Sequence, residues 1–228
     1  MRGGAGHPPG PQLTREEYLR RWSELHEDID PAGVPFVRGW LALAYAAGRP
    51  LATARVPPTV VTLAGLVLAW AVVPIADAGG RWPLVAALVV VGSGLVDSLD
   101  GTVAVLSGRV SRGGALLDAV CDRVADAAYG VALWVVGAPA WLCLAWVGLS
   151  FLAEYARARS QALLGSVVDL VTVGERPTRV VIAALFLAAA GLLVDHADDA
   201  VTVGAAAGAG VAAVGLVQLG AGLRRRLR

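Results

Sequence analysis

The pattern of apolar and polar positions changes character near residue 56. Before it, apolar residues recur at helical spacing among charges. Tyr18, Leu19, Trp22 and Leu25 fall on one face, and Phe36, Trp40, Leu41 and Tyr45 mark a second amphipathic stretch over residues 36–49. Thr14 followed by Glu17 is a capping box that opens the first helix. Pro31 and Pro35 separate the two stretches. Both are too short and too charged to cross a bilayer, so residues 14–55 read as juxtamembrane helices in the interface; a small soluble hairpin is the other reading. The opening residues 1–13, MRGGAGHPPGPQL, lack the apolar core of a cleavable signal peptide and read as a disordered tail.

From residue 58 onward apolar runs dominate. They predict six spans at 58–78, 83–106, 113–136, 138–157, 178–195 and 199–223, each near the roughly 20 residues that a bilayer core requires. Gly137 and Ala138, ahead of Pro139, leave room only for a tight hairpin between the third and fourth. The expected fold class is an all-α integral membrane protein, with six transmembrane helices forming one domain over residues 56–223. A basic tail, residues 224–228, follows it.

Composition agrees with this reading. The chain is 57% hydrophobic and 16% charged, with mean hydropathy +0.65, whereas a soluble domain carries about 25% charge. All 19 basic residues are arginine, which with abundant Ala, Gly and Val points to a GC-rich bacterial source. The net charge of +1 conceals strong polarisation. Arginines crowd the N-terminal region, the 2–3 connection (Arg109, Arg112), the 4–5 connection (Arg157, Arg159, Arg176, Arg179) and the C-terminus, while the opposite loops hold Arg81 and several acids. The positive-inside rule then places both termini on the cytoplasmic side of a bacterial plasma membrane. Arg224, Arg225 and Arg226 would meet anionic headgroups; no nucleic-acid partner is expected. Cys121 and Cys143 lie in apolar runs without metal-site spacing and read as small buried hydrophobes.

The second and third spans contain what a lipid-facing helix avoids. Asp97, Asp100, Asp118 and Asp122 fall within LVDSLDGTVAVLSGRVSRGGALLDAVCDRVAD, with Asp126 one turn later. Each carboxylate at mid-membrane costs roughly 2.5–3.5 kcal/mol, so something must offset four of them. Asp97 and Asp100 share a helix face, as do Asp118 and Asp122. A short connection makes the two spans antiparallel neighbours, so all four acids can converge near the cytoplasmic mouth. Converging carboxylates suit hard cations such as Mg²⁺ or Mn²⁺. Gly101 and Gly114 leave bare backbone where a phosphate could approach.

These residues resemble the motif D-x-x-D-G-x-x-A-R-(x8)-G-x-x-x-D-x-x-x-D of the CDP-alcohol phosphotransferase family. Asp97, Asp100, Gly101, Ala104, Gly114, Asp118 and Asp122 match it at the required spacing; Val105 stands where the family has arginine. VPPTVVTLAG, with Pro58, Thr62 and Gly65, looks like the start of the family's first span. GALLDAVCDR, YARARSQALLG and GERPTR are similar to the actinobacterial phosphatidylinositol-phosphate synthases. The resemblance implies six helices around a polar cavity open to the cytoplasm, a homodimer, and a pair of Mg²⁺ or Mn²⁺ ions. Asp97, Asp100 and Asp118 would be metal ligands, and Asp122 a base that also ligates. Thr62, Gly101, Ala104, Ser111, Arg112 and Gly114, with the first three acids, would bind the CDP part of a CDP-diacylglycerol-like lipid. Arg157, Arg159, Arg176 and Arg179 would receive a polar, anionic alcohol such as inositol phosphate, or serve only the positive-inside rule.

Other readings remain at this point. Intramembrane acids also mark ion or proton paths in transporters, and Val105 fits a catalytically degenerate relative. A missing arginine should weaken donor binding, so Val105→Arg is expected to lower the donor KM, unless Arg109 already fills the role. Arg123 and Asp126 form either a catalytic pair or a structural ion pair. The inositol-phosphate enzymes place a further arginine in the last span, where alignment through LVQLGAG puts Leu219, and this leaves the acceptor open.

Overall fold

The computed structural model describes residues 13–25, 35–166, 168 and 170–226. The expected tail (residues 1–12), Pro31, Arg228 and the side chains of Trp22, Leu25 and Phe36 lie outside the described part. Eight α-helices and one short 3-10 turn account for the described secondary structure, and no strand occurs among those residues. The helices are α1 (Arg15–Leu25), α2 (Pro35–Thr53), α3 (Pro58–Asp77), α4 (Trp82–Leu106), α5 (Arg112–Val136), α6 (Ala140–Leu164), α7 (Arg176–Leu192) and α8 (Ala197–Arg226).

Each expected span corresponds to one helix, but among the described residues three stretches are long and apolar enough to cross a membrane: α3, α4 and Val194–Arg226. The others fall short for visible reasons. α5 carries Asp118, Asp122, Arg123 and Asp126, α6 ends with Glu154, Arg157 and Arg159, and α7 has 17 residues. Of the arginines expected in a basic tail, Arg224, Arg225 and Arg226 form the last turn of α8, where they meet the negative end of the helix dipole.

The chain divides into two compact units that cut across the expected boundary near residue 55. The first takes the chain up to Gly65 together with Leu95–Cys121; the second takes Leu66–Gly94 and Asp122–Arg228. Helices α3, α4 and α5 each contribute to both.

In the first unit the capping box forms. The Thr14 N–H donates to Glu17 Oε2 at 2.7 Å, and the Glu17 N–H donates to Thr14 Oγ1 at 3.3 Å. The Thr14 N–H, and then its hydroxyl, hold the Glu17 carboxyl below its usual range. α1 then docks on α2 and α4. Tyr18 is fully buried, its ring 5.5 Å from that of Tyr45, and its hydroxyl lies 2.9 Å from Thr102 Oγ1. Burial pushes the Tyr18 phenol up, and the Thr102 contact opposes this. Leu13, expected in the tail, is held by the Tyr45 hydroxyl, which donates to its carbonyl at 3.0 Å.

In the second unit small residues let helices approach closely, as membrane packing favours. Ala69, Ala86, Ala128, Ala132, Ala183, Ala190 and Ala205 form the core around Tyr129, Leu133 and Leu187. On α8, a Cβ at Gly208 would lie 2.5 Å from the Trp146 ring. The α5–α6 hairpin turns at Gly137, whose φ of +138° strains any L side chain, and a Cβ there would lie 2.8 Å from Asp198.

Candidate metal and phosphate site

The first unit holds the motif residues from Asp97 to Asp118. Asp97 lies in the second half of α4 and Asp118 in the second turn of α5, and carboxylate oxygens of the two come within 4.8 Å of each other. Two like charges at that separation repel by roughly 3–4 kcal/mol at an effective dielectric of about 20. Both side chains are half-buried, so water screens this only in part. Two all-oxygen donors in this arrangement fit a hard divalent cation.

Asp100, expected as a metal ligand alongside Asp97 and Asp118, is outside this close set. It is buried, and the Thr62 hydroxyl on α3 lies 2.5 Å from its Oδ2 while the Gly101 N–H lies 2.5 Å from its Oδ1. A carboxylate held through both oxygens is fixed in orientation. Gly101 itself is exposed, with open space where a side chain would stand. The loop between α4 and α5 presents Arg109 and Ser111 to the outside, as the first residue of α5 presents Arg112, and Ser111 Oγ accepts the Gly114 N–H at 3.0 Å, capping α5.

Val105 is not on the open side. It is buried with Tyr18 and Leu41, so α1 and α2 seal the motif position that the family fills with arginine. The expected Val105→Arg gain in donor binding would have to be reached through this packing. A guanidinium there would enter an apolar cluster.

The second unit begins at Asp122, one turn beyond Asp118 on the same helix. Here carboxylates meet arginines. Asp122 Oδ1 lies 2.5 Å from Arg176 Nη1, and its Oδ2 lies 3.6 Å from Arg123 Nη2. Arg123 also faces Asp126 at 3.4 Å and Glu154 at 3.3 Å. Arg179, 3% exposed at its side chain, bridges Asp126 at 3.4 Å and Glu154 at 3.0 Å. Arg157 reaches Glu154 at 3.8 Å and Glu175 at 2.6 Å, and donates to the Leu170 carbonyl at 2.7 Å.

The arginines Arg123, Arg157, Arg176 and Arg179 thus stand against the acids Asp122, Asp126, Glu154 and Glu175, and the formal charges cancel. Three of the four expected acceptor arginines belong to this network; Arg159 is exposed on α6. Arg123 and Asp126 form an ion pair within one helix, a contact that both of their readings contain. Glu154 and Glu175 were not singled out in the sequence, because each acid stands alone in its segment and gains meaning only from the arginines that other helices bring. Leu219 is buried with Val168 and Leu223 in a small apolar cluster.

Apolar helices able to cross a bilayer, one bearing facing acids with its neighbour, define an integral membrane protein with a candidate hard-cation centre. The chain belongs to the CDP-alcohol phosphatidyltransferase family of transferases, whose profile matches residues 55–218. It is 34% identical over 123 residues to the phosphatidylinositol phosphate synthase of Corynebacterium glutamicum, covering 49% of this chain and 54% of that protein. It is 33% identical over 110 residues to the archaetidylinositol phosphate synthase of Aeropyrum pernix, covering 46% and 54%. The chain thus spans about half the length of these curated relatives. Its fold is similar to that of the phosphatidylinositol phosphate synthase of Mycobacterium tuberculosis, solved with CDP-DAG bound and with manganese and citrate. The two agree with TM-scores of 0.65 and 0.66 at 26% identity, covering 79% of this chain and 92% and 88% of that one.

Proposed function

We propose that the chain transfers a phosphatidyl group from CDP-diacylglycerol to the hydroxyl of a polar alcohol, with inositol phosphate the leading acceptor, and releases CMP. The observation that carries this reading is the close pair of carboxylates, Asp97 and Asp118, inside a motif matched at seven of its eight fixed positions. The acceptor follows from the relatives, whose names are those of inositol-phosphate lipid synthases. Six spans, cytoplasmic termini and active site in a bacterial plasma membrane, and a homodimer complete the proposal.

In this reading Asp97 and Asp118 hold the cation, Asp100 aids from its Thr62-anchored position, and Asp122 joins from the next turn of α5. Mg²⁺ or Mn²⁺, when bound, neutralises the pyrophosphate and eases departure of CMP. Thr62 orients Asp100, and Gly101 leaves backbone open to a phosphate. Ser111 and Arg112 stand in the loop that would face the nucleotide, with Ala104 and Gly114 keeping the flanking helix surfaces small. Asp122 takes the acceptor's proton as its oxygen bonds to the diacylglycerol-bearing phosphorus. The bond from that phosphorus to the bridging oxygen breaks, and the oxygen leaves with CMP.

The test is CMP release from CDP-diacylglycerol with inositol phosphate, inositol, glycerol phosphate and serine in parallel. Turnover with inositol phosphate that Asp122→Asn abolishes supports the assignment. Release of CMP at the wild-type rate by that variant would remove Asp122 as base. A degenerate relative is the second reading, favoured by Val105; it expects manganese and CDP to bind with no turnover on any acceptor.

A further inference from the structure

Thr102 ties three helices of the first unit together. It follows Gly101 on α4, and both branches of its side chain are gripped. Its hydroxyl donates to the Ser98 carbonyl one turn back at 3.0 Å, and a hydroxyl has one hydrogen to give. The Tyr18 hydroxyl on α1, 2.9 Å away, is therefore the donor to Thr102 Oγ1. On the other branch the methyl packs on Gly48 of α2, where a Cβ would lie 2.7 Å from Thr102 Cγ2. Ser98 is held as well, since Trp40 Nε1–H on α2 donates to its Oγ at 3.2 Å. Residues 98, 102 and 105 share one face of α4, and Val105 packs there with Tyr18 and Leu41. The turn these contacts hold, residues 98–102, carries Asp100 and Gly101.

We propose that Tyr18 and Gly48 position the donor-binding turn of α4 through Thr102. The inference rests on the proposed function, because it takes Asp100 and Gly101 as donor-side residues. A threonine that bonds back to its i−4 carbonyl competes with the helix for that carbonyl and biases the local curvature. The bond here spans the turn that carries Asp100 and Gly101, so the Thr102 rotamer governs where that carboxylate and that open backbone stand. Threonine in a helix divides between two rotamers, and α1 and α2 select one of them. Tyr18 fixes the place of the hydroxyl, and Gly48 admits the methyl. Tyr18 is fully buried, so it acts through Thr102 and not on the donor itself. The two amphipathic helices at the start of the chain thereby become part of the donor site as positioning elements.

The experiment is CDP binding to the detergent-solubilised chain in Mn²⁺, by isothermal titration calorimetry, with the melting temperature measured alongside. Tyr18→Phe removes the hydroxyl alone and should weaken CDP about three- to tenfold, the size of one lost hydrogen bond. Thr102→Val reads the same bond from its other end. It should weaken CDP at least as much, and it decides the question if Tyr18→Phe does not fold. In the double variant the losses should not multiply, because both changes cut one path. Thr102→Ser keeps the bond and gives up the methyl against Gly48, and should bind between wild type and Thr102→Val. Arg20→Gln, on the exposed side of α1, should bind as wild type. Lower melting temperatures with wild-type CDP affinity in Tyr18→Phe and Thr102→Val would make the contact a brace and overturn the positioning. So would losses that multiply in the double variant. Absence of CDP binding by the wild type would overturn the proposed function, and the positioning with it.

Discussion

The two units handle buried carboxylates in opposite ways. In the first, Asp97 and Asp118 bring carboxylate against carboxylate, within 4.8 Å. In the second, four acids interleave with four arginines at 2.5–3.8 Å and their charges cancel. The first arrangement brings like charges together, where a divalent cation would be drawn. The second sets charges of opposite sign against each other and links α5, α6 and α7. Acidic residues in apolar helices therefore carry no single meaning: their partners separate a binding centre from a brace. α5 carries both kinds, with Asp118 on one side of the division and Asp126 on the other.

The contrast can be broken first at the binding centre. Asp97→Asn should lower CMP release by roughly 10²–10³-fold, since a ligand for charge stabilisation is lost. The same change should leave the melting temperature equal to or above wild type, because it relieves repulsion. A marked loss of stability with activity retained would make Asp97 a structural residue. Asp126→Asn should do the reverse. Removing one partner of a buried ion pair costs about 3–5 kcal/mol, and Arg179 is 3% exposed at its side chain, so the detergent melting temperature should fall well before metal affinity changes. Unchanged melting would show that Glu154 alone satisfies Arg179.

Val105→Arg sharpens the boundary of the first unit. With Val105 packed on Tyr18 and Leu41, a buried guanidinium should cost on the order of 3 kcal/mol and loosen α1. Proteolysis of α1 and the donor KM measure the two sides of this. A lower KM with α1 still protected would restore the arginine's expected role at the donor. The smallest effect concerns Glu17, whose carboxyl is held low by Thr14. A depressed folded value means stability fully present above the ordinary value of 4.5 and lost as pH falls through the folded value. Hydrogen exchange of the first-turn amides of α1 should therefore quicken as pH falls below that range, after correction for intrinsic rates. Glu17→Gln should flatten the dependence.

Much of this was legible in the chain because it is local. A 3.6-residue period puts Asp97 with Asp100, and Asp118 with Asp122, on shared faces whatever surrounds them. The capping box at Thr14 and Glu17 and the tight turn at Gly137 are equally short-range. The motif spacing carried the family, since helix rise fixes where its residues fall along each axis. Which side chain answers which is a different matter, because it depends on which helices pack and at what rotation. Only the tertiary structure turned Asp100 towards Thr62, buried Val105 beneath α1, and brought Glu154 and Glu175 to arginines that sequence reading had left unbalanced. A charge that looks free in sequence is free only until another helix supplies its partner, and no local spacing encodes that meeting.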